Sequence, residues 1–127
     1  MVYNPEPGYT YSAKNNSYDK GINLKLYSSV AYESGSAVKS SAGIMVSING
    51  YNSGPAQFIQ LYDTGSLPAD GTAPLVTFAV ATVSNFSYDV GGLYGIDCST
   101  GISVCNSLSG SMKSAGADDC WYNVAYN

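Results

Sequence analysis

The chain has 127 residues, enough for one domain built on one core. Charged residues make up only 11% of it, nine acids outweigh five basic residues for a net charge of -4, and there is no His; an ordinary domain is about one quarter charged. The five basic residues are Lys14, Lys20, Lys25, Lys39 and Lys113, which form no cluster for a phosphate backbone or an anionic membrane surface.

The N-terminal stretch, residues 1–19, has Pro5 and Pro7, three Asn, and Tyr3, Tyr9, Tyr11 and Tyr18, with almost no aliphatic residues. The prolines disfavour helix and hold Glu6 extended. Tyrosine offers large contact area at low entropy cost, so two readings stand side by side: an arm laid on a neighbouring subunit, or a tail packed on its own domain. The opening MVYNPEPGYT has neither a basic segment nor an apolar one, which predicts a chain made in a cytoplasm without a secretory signal. No apolar run approaches the ~20 residues that a membrane-crossing helix needs.

From Lys20 a period-two alternation begins, the pattern of a half-buried strand. Ile22, Leu24 and Leu26 alternate with Asn23, Lys25 and Tyr27 and continue through Val30 and Tyr32, which predicts a long first strand. Glu33-Ser34-Gly35-Ser36 reads as a turn, and residues 37–41 as a short edge piece. Ile44, Val46 and Ile48 alternate with Met45, Ser47 and Asn49 in a second strand, ended by a loop over Tyr51-Asn52-Ser53-Gly54-Pro55.

Residues 58–80 read most securely, as strand, turn, strand. Ile59 and Leu61 alternate with Gln60 and Asp63, and Val76, Phe78 and Val80 with Thr77 and Ala79, around the turn residues Pro68-Ala69-Asp70-Gly71. Phe86, Tyr88 and Val90 form a further strand, broken at Gly91-Gly92. Tyr94, Ile96, Cys98, Ile102 and Val104 share one parity, which predicts a single long strand with a bend at Ser99-Thr100-Gly101. A polar connection, residues 107–118, leads to the last strand, where Cys120, Tyr122, Val124 and Tyr126 make one face and Trp121, Asn123 and Ala125 the other. No window shows helical periodicity.

About seven or eight strands with turns at roughly ten-residue spacing predict an all-β, antiparallel β-sandwich of jelly-roll or immunoglobulin-like type. The expected organisation is an extended N-terminal arm, residues 1–19, and a β-sandwich domain, residues 20–127. Pairing of the first and last strands is expected, because it limits the exposed edges.

The residues argue against chemistry. Without His, neither a Ser-His-Asp nor a Cys-His arrangement can be built. Asp118-Asp119, with Asp63, Asp70, Asp89 and Asp97 at strand ends or turns, could supply a convergent carboxylate pair or a calcium site, but residues of this kind serve more often as turn formers. Cys98, Cys105 and Cys120, separated by six and then fourteen residues, lack the paired spacing of a zinc site. Free buried thiols are the default, with a Cys105–Cys120 cross-strand pair as the alternative. No catalytic, cofactor-binding or metal-ligating residue is therefore assigned. Trp121 with its neighbouring tyrosines could stack on sugar rings, or stabilise the sheet as a cross-strand cluster.

Four stretches carry a resemblance: YNSGPAQFIQLYD at residues 51–63, LPADGTAPL at 67–75, GISVCNS at 101–107 and DCWYNVAY at 119–126. Together they resemble small β-sandwich proteins encoded among the structural genes of tailed bacteriophages, including capsid decoration (cement) proteins. The likeness spans residues 44–126 and leaves the arm unmatched. Its motifs are turns and strands, so it transfers no site residue. It implies a non-enzymatic virion protein on the capsid surface, oligomeric and in some cases trimeric, contacting the major capsid protein or other virion proteins without nucleic acid, membrane or cofactor. The contact residues expected are Tyr3, Tyr9, Tyr11 and Tyr18 of the arm, together with Trp121. The alternative is a tail, neck or fibre component that binds a host-surface glycan.

Overall fold

A computed structural model describes residues 24–90 and 95–127, together with two short strands, β1 (Thr10–Ser12) and β2 (Ser17–Asp19). The remaining strands are β3 (Lys25–Ser28), β4 (Gly35–Lys39), β5 (Gly43–Asn52), β6 (Gln57–Tyr62), β7 (Val76–Val80), β8 (Ser84–Asp89), β9 (Ile96–Cys98), β10 (Ile102–Ser107) and β11 (Cys120–Tyr126). There is no helix among the described residues. The protein is an antiparallel β-sandwich. One sheet runs β3-β11-β5-β8, with β9 also on β5; the other runs β4-β10-β6-β7. β1 and β2 form a separate ladder that sets Tyr11 opposite Tyr18. Tyr3, Tyr9, Ile22, Gly91-Gly92, Leu93 and Tyr94 lie outside the described residues, as do the side chains of Tyr11 and Tyr18.

Between the sheets sit Met45, Ile48, Ile59, Leu61, Ile102, Val104, Tyr122 and Val124, all essentially inaccessible. Burying one such aliphatic side chain contributes about 1.5–3 kcal/mol. The expected β6–β7 hairpin is present, with Ile59 opposite Phe78 and Leu61 opposite Val76. Its loop turns one residue later than the composition implies: the Thr72 N–H donates to the Ala69 carbonyl at 3.3 Å, and Gly71 takes a φ of 92°. That left-handed value is the reason a glycine follows Asp70. The pairing of first and last sandwich strands also holds, with Tyr27 opposite Val124.

Four expectations are corrected. First, β3 is only four residues long and turns its other face inward. Tyr27 packs against the core, while Leu24 and Leu26 are 58% and 65% exposed. The Tyr27 ring packs on the core while its hydroxyl donates to Glu33 at 2.7 Å, so both its apolar body and its polar tip are satisfied. Second, the parity of β5 flips. Register passes from Ser47 opposite Ala125 to Met45 opposite Tyr126, skipping Val46, so Met45 joins Ile48 inside in place of Ile44 and Val46. A bulge inserts one residue and reverses every side chain beyond it.

Third, the run expected as one strand is two strands in different sheets. β9 pairs β5, and β10 pairs β4 and β6, which brings the sandwich to nine strands. The bend at Ser99-Thr100-Gly101 is a crossover between sheets. Gly101 packs so closely on the Gly65 backbone that a Cβ would collide with it. Fourth, the turn expected at residues 33–36 is largely strand: Glu33 bridges Cys120, and Gly35 and Ser36 open β4.

Two polar features complete the packing. A chain of buried amides crosses the sandwich: Tyr122 Oη donates to Asn106 Oδ1 (2.6 Å), Asn106 Nδ2 to Gln57 Oε1 (2.9 Å), and Gln57 Nε2 to Asn52 Oδ1 (2.9 Å). On the outer side of the second sheet, Gln60, Tyr62, Cys105 and Ser107 are buried because the loops over residues 63–75 and 108–119 fold across them. Gln60 Nε2 donates to the Ser109 carbonyl at 2.7 Å, and Lys113 Nζ pairs with Asp70 at 3.0 Å to join the two loops. No buried polar side-chain atom among the described residues lacks a partner.

Candidate functional site

Among the described residues, the outer face of β3-β11-β5-β8 is the sheet surface that no loop covers. Alternation along β11 and β5 brings Trp121, Asn123 and Ala125 to this face beside Tyr51, Asn49 and Ser47. Tyr51 and Trp121 are direct cross-strand neighbours, with ring centroids 6.4 Å apart and planes inclined by 29°. Tyr32 adds a third ring, 6.5 Å from Tyr51. Below them Asn123 Nδ2 donates to Asn49 Oδ1 at 3.0 Å.

A shallow groove of about 380 Å³ runs beside the rings, lined by Ser29, Val30, Ala31, Tyr32 and Trp121. Its wall is the segment linking β3 to β4. Glu33 anchors that segment by accepting hydrogen bonds from Tyr27 Oη and from Ser29 Oγ (2.8 Å), while its backbone bridges Cys120. Burial, with the Glu33 charge as a lesser cause, raises the Tyr27 hydroxyl above its ordinary value, so it stays a proton donor to Glu33.

A second groove, about 430 Å³, lies at the hairpin loop between Tyr62, Asp63, Thr64, Pro68 and residues 72–75. Its one carboxylate is already engaged. Asp63 accepts hydrogen bonds from the Thr100 N–H (2.8 Å), the Ser99 N–H (3.0 Å) and the Gly101 N–H (3.2 Å), and the first of these does most to hold its carboxyl below the usual range. Asp70 is likewise lowered, mainly by Lys113. Among the described residues no group of three or more Cys, Asp or Glu converges in a way that could hold a metal ion.

The thiols are free, and the Cys105–Cys120 pair does not form: Cys105 faces out of β10 under the covering loops, whereas Cys120 faces into the sandwich from the other sheet. Burial pushes Cys98 and Cys105 up to about 11 and Cys120 up to about 12, which leaves them protonated and weakly nucleophilic.

Comparison with known proteins finds no match to a family model, a curated protein or a solved structure.

Of the contact residues expected from the sequence, Trp121 lies on an outer face, as the alternation implies. The tyrosines beside it do not share that face, since Tyr122 is wholly buried and hydrogen-bonded inside. The rings that accompany it come from other strands. The sequence pattern puts Tyr51 in a loop and Tyr32 at the end of the first strand, whereas Tyr51 lies within β5 and Tyr32 beyond β3. Only the cross-strand register shows them together.

Proposed function

We propose that this chain is a non-enzymatic structural protein of a bacteriophage virion, a capsid decoration protein that stabilises the head through repeated lattice contacts. The observation that carries this reading is the edge strand β3. Among the described strands it pairs only with β11, and apolar side chains in and beside it face solvent: Leu26 within the strand, Leu24 just before it and the fully exposed Val30 just beyond it. An apolar edge of this kind is an aggregation hazard unless a partner covers it. In sequence the edge comes soon after the arm, and the two together serve for attachment to the major capsid protein or a neighbouring subunit of a symmetric oligomer, with a trimer as the working assembly. Many weak contacts repeated over a shell add up by avidity. The buried, protonated thiols and the engaged Asp63 and Asp70 fit a protein without chemistry of its own.

The test is co-sedimentation with capsids lacking the protein. Wild type binds; a Leu24→Ser, Leu26→Ser double variant and a chain without residues 1–19 remain folded and bind weakly. Undiminished binding by both variants sinks the reading.

A second reading has its own observation, the row formed by Tyr32, Tyr51 and Trp121. It makes the chain a tail, neck or fibre component that binds a host-surface glycan. A glycan array silent for the wild-type protein would remove it.

A further inference from the structure

We infer that the outer face of β11 and β5 is a binding site for a neutral, β-linked oligosaccharide, with Tyr51 and Trp121 as its stacking platform. This inference rests on the glycan reading and narrows it to a place and a ligand chemistry. Three features of the face lead there.

The rings are the first. Tyr51 and Trp121 sit opposite each other in register, with ring centroids 6.4 Å apart and planes inclined by 29°, and both rings are partly exposed on the outer face. Tyr32, 49% exposed, extends it toward the groove at the β3–β4 link. The flat C–H face of an equatorially linked pyranose ribbon is complementary to such a platform.

The second is the amide pair. Asn123 Nδ2 donates to Asn49 Oδ1, which orients both side chains. Among the described residues, Asn49 Nδ2 is left as a donor and Asn123 Oδ1 as an acceptor, side by side and next to the rings. A sugar hydroxyl can serve both at once, because it accepts and donates. A purely apolar partner would leave these groups unpaired, at a cost in free energy.

The third is charge. The paired positions of β11, β5 and β8 on this face are Trp121, Asn123, Ala125, Ser47, Asn49, Tyr51 and the β8 residues Asn85, Ser87 and Asp89. Asp89 is the one acidic residue among these positions, none of them is Lys, and the chain as a whole has a formal charge of -4. An acidic sugar would meet repulsion and no cation, so the face selects a neutral one.

The experiment uses the full chain and its single tryptophan, Trp121, as reporter. Emission is followed during titration with chitotetraose and cellotetraose, and with tetragalacturonate as the anionic control. The expected result is a saturable change in Trp121 emission with at least one neutral tetrasaccharide and none with the anionic one. Tyr51→Ala weakens binding about tenfold or more, as loss of a stacking surface does, with the melting transition recorded to show that the variant is folded. Asn49→Ala, which keeps all three rings, also weakens it. No emission change with either neutral sugar overturns the inference, and so does binding as tight as wild type by both the Tyr51 and the Asn49 variant. An array that reports glycan binding unaffected by Tyr51→Ala and Trp121→Ala overturns the site while leaving the glycan reading intact. A silent array removes both.

Discussion

The carboxylate of Asp63, at the end of β6, accepts the Thr100 N–H at 2.8 Å across 37 residues of sequence. With Ser99 and Gly101 bound by the same side chain, this one residue fixes the point where the chain leaves the first sheet and enters the second. Replacing it removes a charge-assisted acceptor for three backbone donors. Asp63→Asn is expected to lower the melting temperature at neutral pH. The sign with pH follows from linkage. The folded-state carboxyl lies below its ordinary value, so its contribution is complete above about pH 4 and disappears as pH falls through the folded-state value. The melting temperatures of wild type and variant therefore converge in acid. A gap that stays constant into acid contradicts this role.

The buried amide chain ends at Tyr122, whose hydroxyl donates to Asn106 at 2.6 Å. Tyr122→Phe keeps the ring and strands the Asn106 oxygen inside the sandwich. The expected loss is about 1–3 kcal/mol in urea unfolding, the cost of an unsatisfied buried acceptor. A loss near zero would mean that water or a rearranged Asn106 replaces the bond.

Two glycines separate steric from conformational need. A Cβ on Gly50 would run into the Trp121 carbonyl and the Phe86 ring, at the centre of the β11-β5-β8 pairing. Gly50→Ala is expected to yield little soluble protein. Gly71 has open space around it but a φ of 92°, so Gly71→Ala costs about 1–2 kcal/mol and leaves the fold intact. Soluble yield and thermal melts distinguish the two.

The thiols give a further check. Cys98, Cys105 and Cys120 are each 2% exposed or less and raised well above the ordinary thiol value. At pH 8 they should resist a thiol-specific chromogenic disulfide reagent in the native protein and react fully in denaturant. Fast labelling of the native protein would contradict the burial.

Much of the fold was legible because strand alternation is a local property. The β6–β7 hairpin, the two faces of β11, the absence of helix from the described residues and the sandwich architecture all follow from period-two patterning and turn residues within short windows. The departures have one kind of cause. In β3, alternation showed that a strand exists and not which face is inside; packing of Tyr27 and its bond to Glu33 decided that. In β5, a single skipped residue at Val46 reversed the parity, and nothing in the apolar pattern marks it. Between β9 and β10, continuity of parity concealed a change of sheet that depends on a distant carboxylate.

The candidate site divides in the same way. Trp121 was identifiable as an outward residue of the last strand from its neighbours alone. That it lies beside Tyr51, 70 residues earlier, and near Tyr32 is a matter of register between strands far apart in sequence. The chain by itself therefore determined that it forms strands and a sandwich, because those follow from local hydrophobic periodicity. Only the tertiary structure decided which side chains share a surface, because strand register is set by the packing of the whole core.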